Sequence, residues 1–144
     1  MNKYQTHVPD GAQLRTLLYV EDNLEDLKLV GQIIARRPDM RLLTAVNGNS
    51  GIEIARTSRA GVIVMDVNLP DISGFKVLEI LRSDPATAHI PVIALSANDM
   101  PLNIKSGMEA GFFRYLTKPI KVDEFMSVVD TALEFARKNA AKRK

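Results

Sequence analysis

The chain has 144 residues, 46% of them hydrophobic, which is enough for one buried core and makes one domain the default. It contains no cysteine, which excludes disulfides, thiolate metal sites and a cysteine nucleophile. The net charge of +2 is local: Glu134 to Lys144 holds five basic residues and one acidic one, net +4, so the remainder carries 2 − 4 = −2, and no basic face is broad enough for nucleic acid.

Met1 to Arg15 is polar and lacks the apolar core of a secretory signal. No run approaches the ~20 apolar residues of a membrane span. The expected setting is the cytoplasm. Residues 1–13 read as a flexible extension or part of a linker, 14–138 as the folded domain, and 139–144 as a basic tail.

Thr16 to Val20 is a short apolar strand that runs into Glu21-Asp22-Asn23. A helix follows from about Asn23 to Arg37, with Leu27, Val30, Ile33 and Ile34 on one face, and Pro38 ends it. Arg41 to Val46 is the second strand, and Asn49 to Ser58 the second helix, showing Ile52, Ile54 and Ala55.

Gly61-Val62-Ile63-Val64-Met65-Asp66 is a third strand, with no polar alternation until its last residue. Such a run belongs to a strand covered on both faces, as in a parallel sheet. After a turn at Pro70 to Ser73, Gly74 to Ser83 is helical, with Phe75, Val77, Leu78 and Leu81 as its apolar set.

Ile90 to Ser96 is the fourth strand, leading into Ala97, and a short helix over about Leu102 to Ala110 closes at Gly111, where glycine can take a left-handed cap. Phe112 to Thr117 is the fifth strand, followed by Lys118-Pro119. A last helix starts near Val122 and carries Phe125, Met126, Val129, Leu133 and Ala136 at helical spacing. Five strand-helix repeats joined by right-handed crossovers predict an α/β fold, a doubly wound five-stranded parallel sheet with helices on both faces.

Ligands bind such sheets outside the carboxyl ends of the strands, which is where Glu21, Asp22 and Asp66 emerge. Crowded carboxylates raise one another's pKa and call for a cation. Mg²⁺ suits this donor set, because it prefers oxygen, needs few protein carboxylates and keeps exchangeable waters, and Mn²⁺ could substitute. An oxyanion beside Asp66 would need the cation of Lys118 and the donors of Ser96 and the Ala97 backbone N–H.

The acidic pair Glu21-Asp22, the segment Asp66-Val67-Asn68-Leu69-Pro70-Asp71-Ile72-Ser73-Gly74, Ser96-Ala97 and Lys118-Pro119 stand in one order, each at a strand end. In this the chain resembles the receiver domains of two-component response regulators, and is similar to the single-domain chemotaxis receivers, over roughly Leu14 to Arg137. The resemblance implies the flavodoxin-like receiver fold. It implies that Asp66 takes a phosphoryl group from a histidine kinase or a histidine phosphotransfer protein as an acyl phosphate, with no enzymatic turnover beyond self-phosphorylation and autodephosphorylation.

The same resemblance implies that Asp22 and Asp66 bind Mg²⁺ through carboxylate oxygens and Asn68 through its backbone carbonyl, with Glu21 acting through a water. Lys118 and Ser96 would contact the phosphoryl oxygens, and Lys118-Pro119 would be a cis peptide. Ser96 and Tyr115 would form a relay that alters the face of the fourth helix, fifth strand and fifth helix, where a downstream protein binds. Glu21 departs from the more frequent aspartate by one methylene, and Asn68 and Asn98 stand at positions that tune how fast water removes the phosphoryl group.

His7 and His89 lack a metal-ligand spacing and read as loop residues. Two alternatives stay open within the reading of a free-standing regulator or from another class. One is the C-terminal receiver of a hybrid histidine kinase. The other is an aspartyl-phosphate hydrolase of the haloacid dehalogenase type, although that family places a second aspartate where this chain has Asn68. A phosphorylation-independent interaction domain is disfavoured, since every acidic, hydroxyl and lysine position is present.

Overall fold

The structure, a computed structural model, describes residues 14–97 and 101–142. The expectations placed on residues 1–13, Asn98 and the last two residues of the tail fall outside them. Ten elements alternate: β1 Arg15–Val20, α1 Leu24–Ala35, β2 Met40–Ala45, α2 Gly48–Ser58, β3 Val62–Asp66, α3 Gly74–Ser83, β4 Val92–Ser96, α4 Pro101–Ala110, β5 Arg114–Thr117 and α5 Val122–Lys142. All neighbouring strands are parallel, in the order β2-β1-β3-β4-β5. This is the doubly wound parallel sheet that the strand-helix alternation predicts, with the flavodoxin-like fold that the resemblance implies.

The sheet buries both faces because side chains alternate along each strand. Leu18, Val20, Ile63, Met65, Val92 and Ala94 pack against Ile52 and Ala55 of α2 and Val77, Leu78 and Leu81 of α3. Leu17, Tyr19, Val62, Val64, Ile93 and Leu95 pack the other way, against Val30, Ile33 and Ile34 of α1 and Phe125, Val129, Ala132 and Leu133 of α5. Two dry layers on the central strands leave their C-terminal ends as the place where polar side chains can reach solvent.

Local chemistry shifts several boundaries. Helix α1 stops at Ala35 rather than Arg37, because the residue before Pro38 is pushed out of helical geometry. β4 begins at Val92, since Pro91 has no N–H and the Ile90 N–H turns back to the Thr87 carbonyl at 3.1 Å. β5 begins at Arg114, because the Phe112 N–H is taken by the Gly107 carbonyl at 3.3 Å. Gly111 has φ +112°, as its expected position after the fourth helix requires.

Three asparagine or serine side chains start helices. Asn23 accepts from the Asp26 N–H, Asn47 from Ser50 and Ser73 from Lys76. Asp71 adds a clamp between loops: its two carboxylate oxygens accept the Gly48 and Asn49 N–H groups at 2.7 and 2.9 Å, at the positive end of α2. The loop after β3 is thereby tied to the second helix.

Candidate functional site

The order β2-β1-β3 reverses direction of growth between β1 and β3, so a crevice opens beyond the C-terminal ends of these two strands. Asp66 is the last residue of β3 and is 6% exposed. Each of its oxygens is held. Oδ1 accepts the Asn68 N–H at 2.8 Å, and Oδ2 accepts from Lys118 Nζ at 2.9 Å.

The close turn behind Asp66 depends on Gly74. A Cβ there would lie 2.7 Å from Val67 Cα and 3.0 Å from the Asp66 carbonyl oxygen, so α3 can start against the strand end only with glycine. The carboxylate therefore rests on a rigid strand and a turn packed without slack.

Glu21 follows β1 and is fully buried. Its Oε1 accepts from the Tyr19 hydroxyl at 3.0 Å and lies 3.0 Å from Lys118 Nζ, while Oε2 accepts the Asn23 N–H at 3.3 Å. Burial pushes the Glu21 carboxyl above its usual range, the hydrogen bond and charge of Asp66 push the same way, and Lys118 opposes them. Tyr19 is held as the neutral phenol, first by burial and then by the negative charge of Glu21.

Lys118 follows β5, and its peptide bond to Pro119 is cis, as the resemblance implies. Its ammonium meets three carboxylates: Glu21 at 3.0 Å, Asp26 of α1 at 2.8 Å and Asp66 at 2.9 Å. Burial works against its charge, but the bonds to Asp26, Asp66 and Glu21 outweigh that and hold it protonated above the usual lysine value. Strand alternation explains the meeting. Tyr19 and Val64 line the face packed on α1 and α5, and Leu116 packs against it, so Glu21, Asp66 and Lys118, each two residues further on, emerge on that side.

Asp22 and Asn68 are exposed at the mouth of the crevice, and Ala97 is exposed after β4. Ser96 is buried at the end of β4. It shares a face with Val92 and Ala94, the face on which Tyr115 packs, half-buried, against the α2-α3 core. A Cβ on Gly107 of α4 would lie 2.5 Å from Tyr115 Cδ2, so the Tyr115 ring rests directly on that helix. The predicted residues thus fall into two sets, Glu21, Asp66 and Lys118 in contact on one side and Ser96 with Tyr115 on the other.

No three acidic or histidine side chains among the described residues converge as a ready-made metal cage. A hydrated Mg²⁺ needs fewer donors than such a cage supplies. The donors at the crevice are hard oxygens, and the Glu21 carboxyl, raised first by burial and then by neighbouring Asp66, stands where a further cation would favour its charged form, so this donor chemistry suits Mg²⁺.

Tyr19 and Asp26 take part in the site although the sequence reading did not single them out. Tyr19 belongs to the apolar run of the first strand, and it lies two residues before Glu21 and so on the same face. Asp26 lies one turn into α1, at the helix end that overhangs the crevice, a position that signals proximity only once β5 is known to end nearby.

A sequence model of a family, described as the response regulator receiver domain, matches residues 17–130. The polar-differentiation response regulator DivK of Brucella anthropi is 33% identical over 119 residues, covering 83% of this chain and 96% of that protein. The signal receiver domain of a putative LuxO repressor protein from Vibrio parahaemolyticus superposes with a TM-score of 0.83 at 24% identity, over 91% of this chain and 98% of that one, a likeness of fold. The receiver domain of the sensor histidine kinase PA1611 from Pseudomonas aeruginosa was solved with a magnesium ion coordinated in its active site cleft. It superposes with a TM-score of 0.76 at 26% identity, over 84% of this chain and 98% of that domain.

Proposed function

Because the chain belongs to the response regulator receiver domain family, we propose that Asp66 is its phosphoacceptor, modified by a histidine kinase or a histidine phosphotransfer protein in a Mg²⁺-dependent reaction. The observation that carries this reading is the setting of Asp66. A carboxylate at the end of a central strand has one oxygen fixed by the Asn68 N–H and the other by the Lys118 ammonium.

In the transfer, an Asp66 oxygen forms a bond to phosphorus as the bond from phosphorus to the donor nitrogen breaks, and the imidazole leaves. As a carboxylate nucleophile, Asp66 needs positioning rather than a general base. The Lys118 N–H now given to Asp66 Oδ2 passes to a phosphoryl oxygen, with the Ser96 hydroxyl and the Ala97 N–H as further donors. The Asp22 and Asp66 carboxylates and the Asn68 carbonyl would hold Mg²⁺, with Glu21 behind them. When bound, the ion supplies positive charge opposite the phosphoryl oxygens; Mn²⁺ could take its place.

Ser96 and Tyr115 form the switch in this reading. The Ser96 hydroxyl turns toward the phosphoryl group, and Tyr115 moves inward from its seat on Gly107. The face of α4, β5 and α5 changes with it and meets a downstream protein. In this reading the chain is a cytoplasmic regulator of the DivK kind with no turnover beyond self-phosphorylation and autodephosphorylation, residues 14–138 forming the domain beside a 1–13 extension and a basic 139–144 end into which α5 continues as far as Lys142. Support comes from DivK, 96% of whose length this chain spans. No described helix is long and apolar enough to cross a membrane. The hydrolase alternative is not favoured by a family match that runs over residues 17–130.

Phosphotransfer from a panel of autophosphorylated histidine kinases, with Mg²⁺, tests the proposal on the wild type and Asp66→Ala. Acid-labile labelling of the wild type that disappears in the variant is expected. Unchanged or acid-stable labelling of Asp66→Ala refutes the acyl phosphate.

A further inference from the structure

We propose that Asp26 is a positioning residue for Lys118, the second of two fixed anchors that aim its ammonium at the group on Asp66, an inference that rests on Asp66 being the phosphoacceptor. A lysine ammonium has three N–H donors and no acceptor. Here three carboxylates surround it, with Glu21 at 3.0 Å, Asp26 at 2.8 Å and Asp66 at 2.9 Å. It donates a hydrogen bond to Asp66, while Glu21 and Asp26 hold it as ion-pair partners from the other sides.

The three partners differ in what phosphorylation does to them. Asp66 changes: as an acyl phosphate its carboxyl no longer carries the charge, and the phosphoryl oxygens become the stronger acceptors beside it. Glu21 and Asp26 do not change. Two constant ion-pair partners hold the ammonium in place while the N–H given to Asp66 follows the reaction, so its direction is fixed before the phosphoryl group arrives. With Glu21 alone, the ammonium could pivot on one contact at the end of a flexible four-carbon stem.

Asp26 is suited to this task by its place in α1. In a capping box, an acidic residue at the third helical position returns its carboxylate to the N–H of the cap residue. Asp26 occupies that position, and its own N–H does donate to Asn23 Oδ1 at 3.0 Å. The Asn23 N–H, however, goes to Glu21 Oε2. The Asp26 carboxylate is thus released from the cap and spans from α1 to the residue after β5. Its side chain is 22% exposed and that of Lys118 20%, so water competes for this contact far less than for an ion pair on the open surface.

The test compares wild type, Asp26→Asn and Asp26→Glu in two measurements. Neither substitution touches the backbone N–H that closes the cap. The first follows modification of the protein by acetyl phosphate with Mg²⁺ as a function of donor concentration. Asp26→Asn is expected to lower the maximal rate by about threefold to tenfold, the scale of a charge-assisted contact shielded in part from water, without raising the half-saturating donor concentration. Asp26→Glu restores most of the rate. An unchanged or faster Asp26→Asn, a loss confined to the half-saturating concentration, or no rescue by glutamate overturns the inference.

The second measurement needs neither metal nor phosphoryl donor. The ¹⁵N–¹H signal of the Lys118 ammonium, assigned through Lys118→Arg, is expected to be protected from solvent exchange in the wild type and broadened or lost in Asp26→Asn. An unaltered signal overturns the anchoring role. A wild type that acetyl phosphate does not modify would refute the phosphoacceptor reading instead, while the ammonium signal still decides whether Asp26 holds Lys118.

Discussion

Replacing Tyr19 with phenylalanine isolates one buried bond at the edge of the site. The ring is fully buried and its hydroxyl donates to Glu21 Oε1 at 3.0 Å, so the substitution removes a single oxygen without opening a cavity of side-chain size. A hydrogen bond to a charged group contributes ~1.5–3 kcal/mol. Glu21 keeps Lys118 at 3.0 Å and the Asn23 N–H at 3.3 Å, so its carboxylate is not stranded, and phenylalanine is cheaper to bury than tyrosine. With those partners kept and no polar group buried in the ring's place, the cost falls to about 1–2 kcal/mol, equivalent to a fall in Tm of about 4–8 °C for a domain of this size. Urea unfolding of Tyr19→Phe should show a lower midpoint with an unchanged slope. In a Glu21→Gln background, where the acceptor is neutral, the cost should shrink by about 1 kcal/mol, the coupling between the two groups. An equal cost in both backgrounds, or none in either, would show that the hydroxyl does not support the buried carboxylate.

Two further outcomes follow from contacts elsewhere in the fold. Gly107→Ala gains about 0.8–1 kcal/mol of helix propensity but sets a methyl 2.5 Å from Tyr115 Cδ2, and overpacking of that kind costs ~1–3 kcal/mol. The ring should therefore leave its seat, read as loss of the NMR contact between residue 107 and Tyr115 and greater solvent relaxation of the ring; an unmoved ring contradicts the tight packing. Asp39 is held below the usual carboxylate range chiefly by the Arg37 guanidinium, opposed by burial and assisted by Arg15. A depressed folded-state pKa contributes stability that is present above the unfolded value near pH 4 and is lost as pH falls toward the folded value. The side chain is 43% exposed, so Asp39→Asn should cost only about 0.5–1 kcal/mol at pH 7 and less at pH 3, and a cost that grows on acidification would reverse the assignment.

The alternation of elements was legible because each depends on neighbours in the chain. Runs such as Val62 to Met65 are apolar on every residue only when both faces are covered, and the acids that end them mark where covering stops. Asp66, Glu21 and Lys118 could thus be selected as strand-end residues, and the structure brings those three into contact. The short start of β5 was less legible, since it turns on which carbonyl takes the Phe112 N–H. The division of the site was also hidden. Strand parity sends Asp66 with Lys118 to the α1 and α5 side and Ser96 with Tyr115 to the other, and parity has meaning only when each strand's neighbours are known.

By itself the sequence determined the repeating architecture, the strand-end carboxylates and the lysine that faces them, because hydrophobic period and local turn chemistry act over a few residues. Only the tertiary structure decided the partners of that lysine. Glu21 and Asp26 come from the junction of β1 and α1 and Asp66 from the end of β3, and Lys118 lies 52 positions beyond Asp66. Ångström-scale contacts among such groups are set by strand order and helix placement, and charge then decides which of them share a donor.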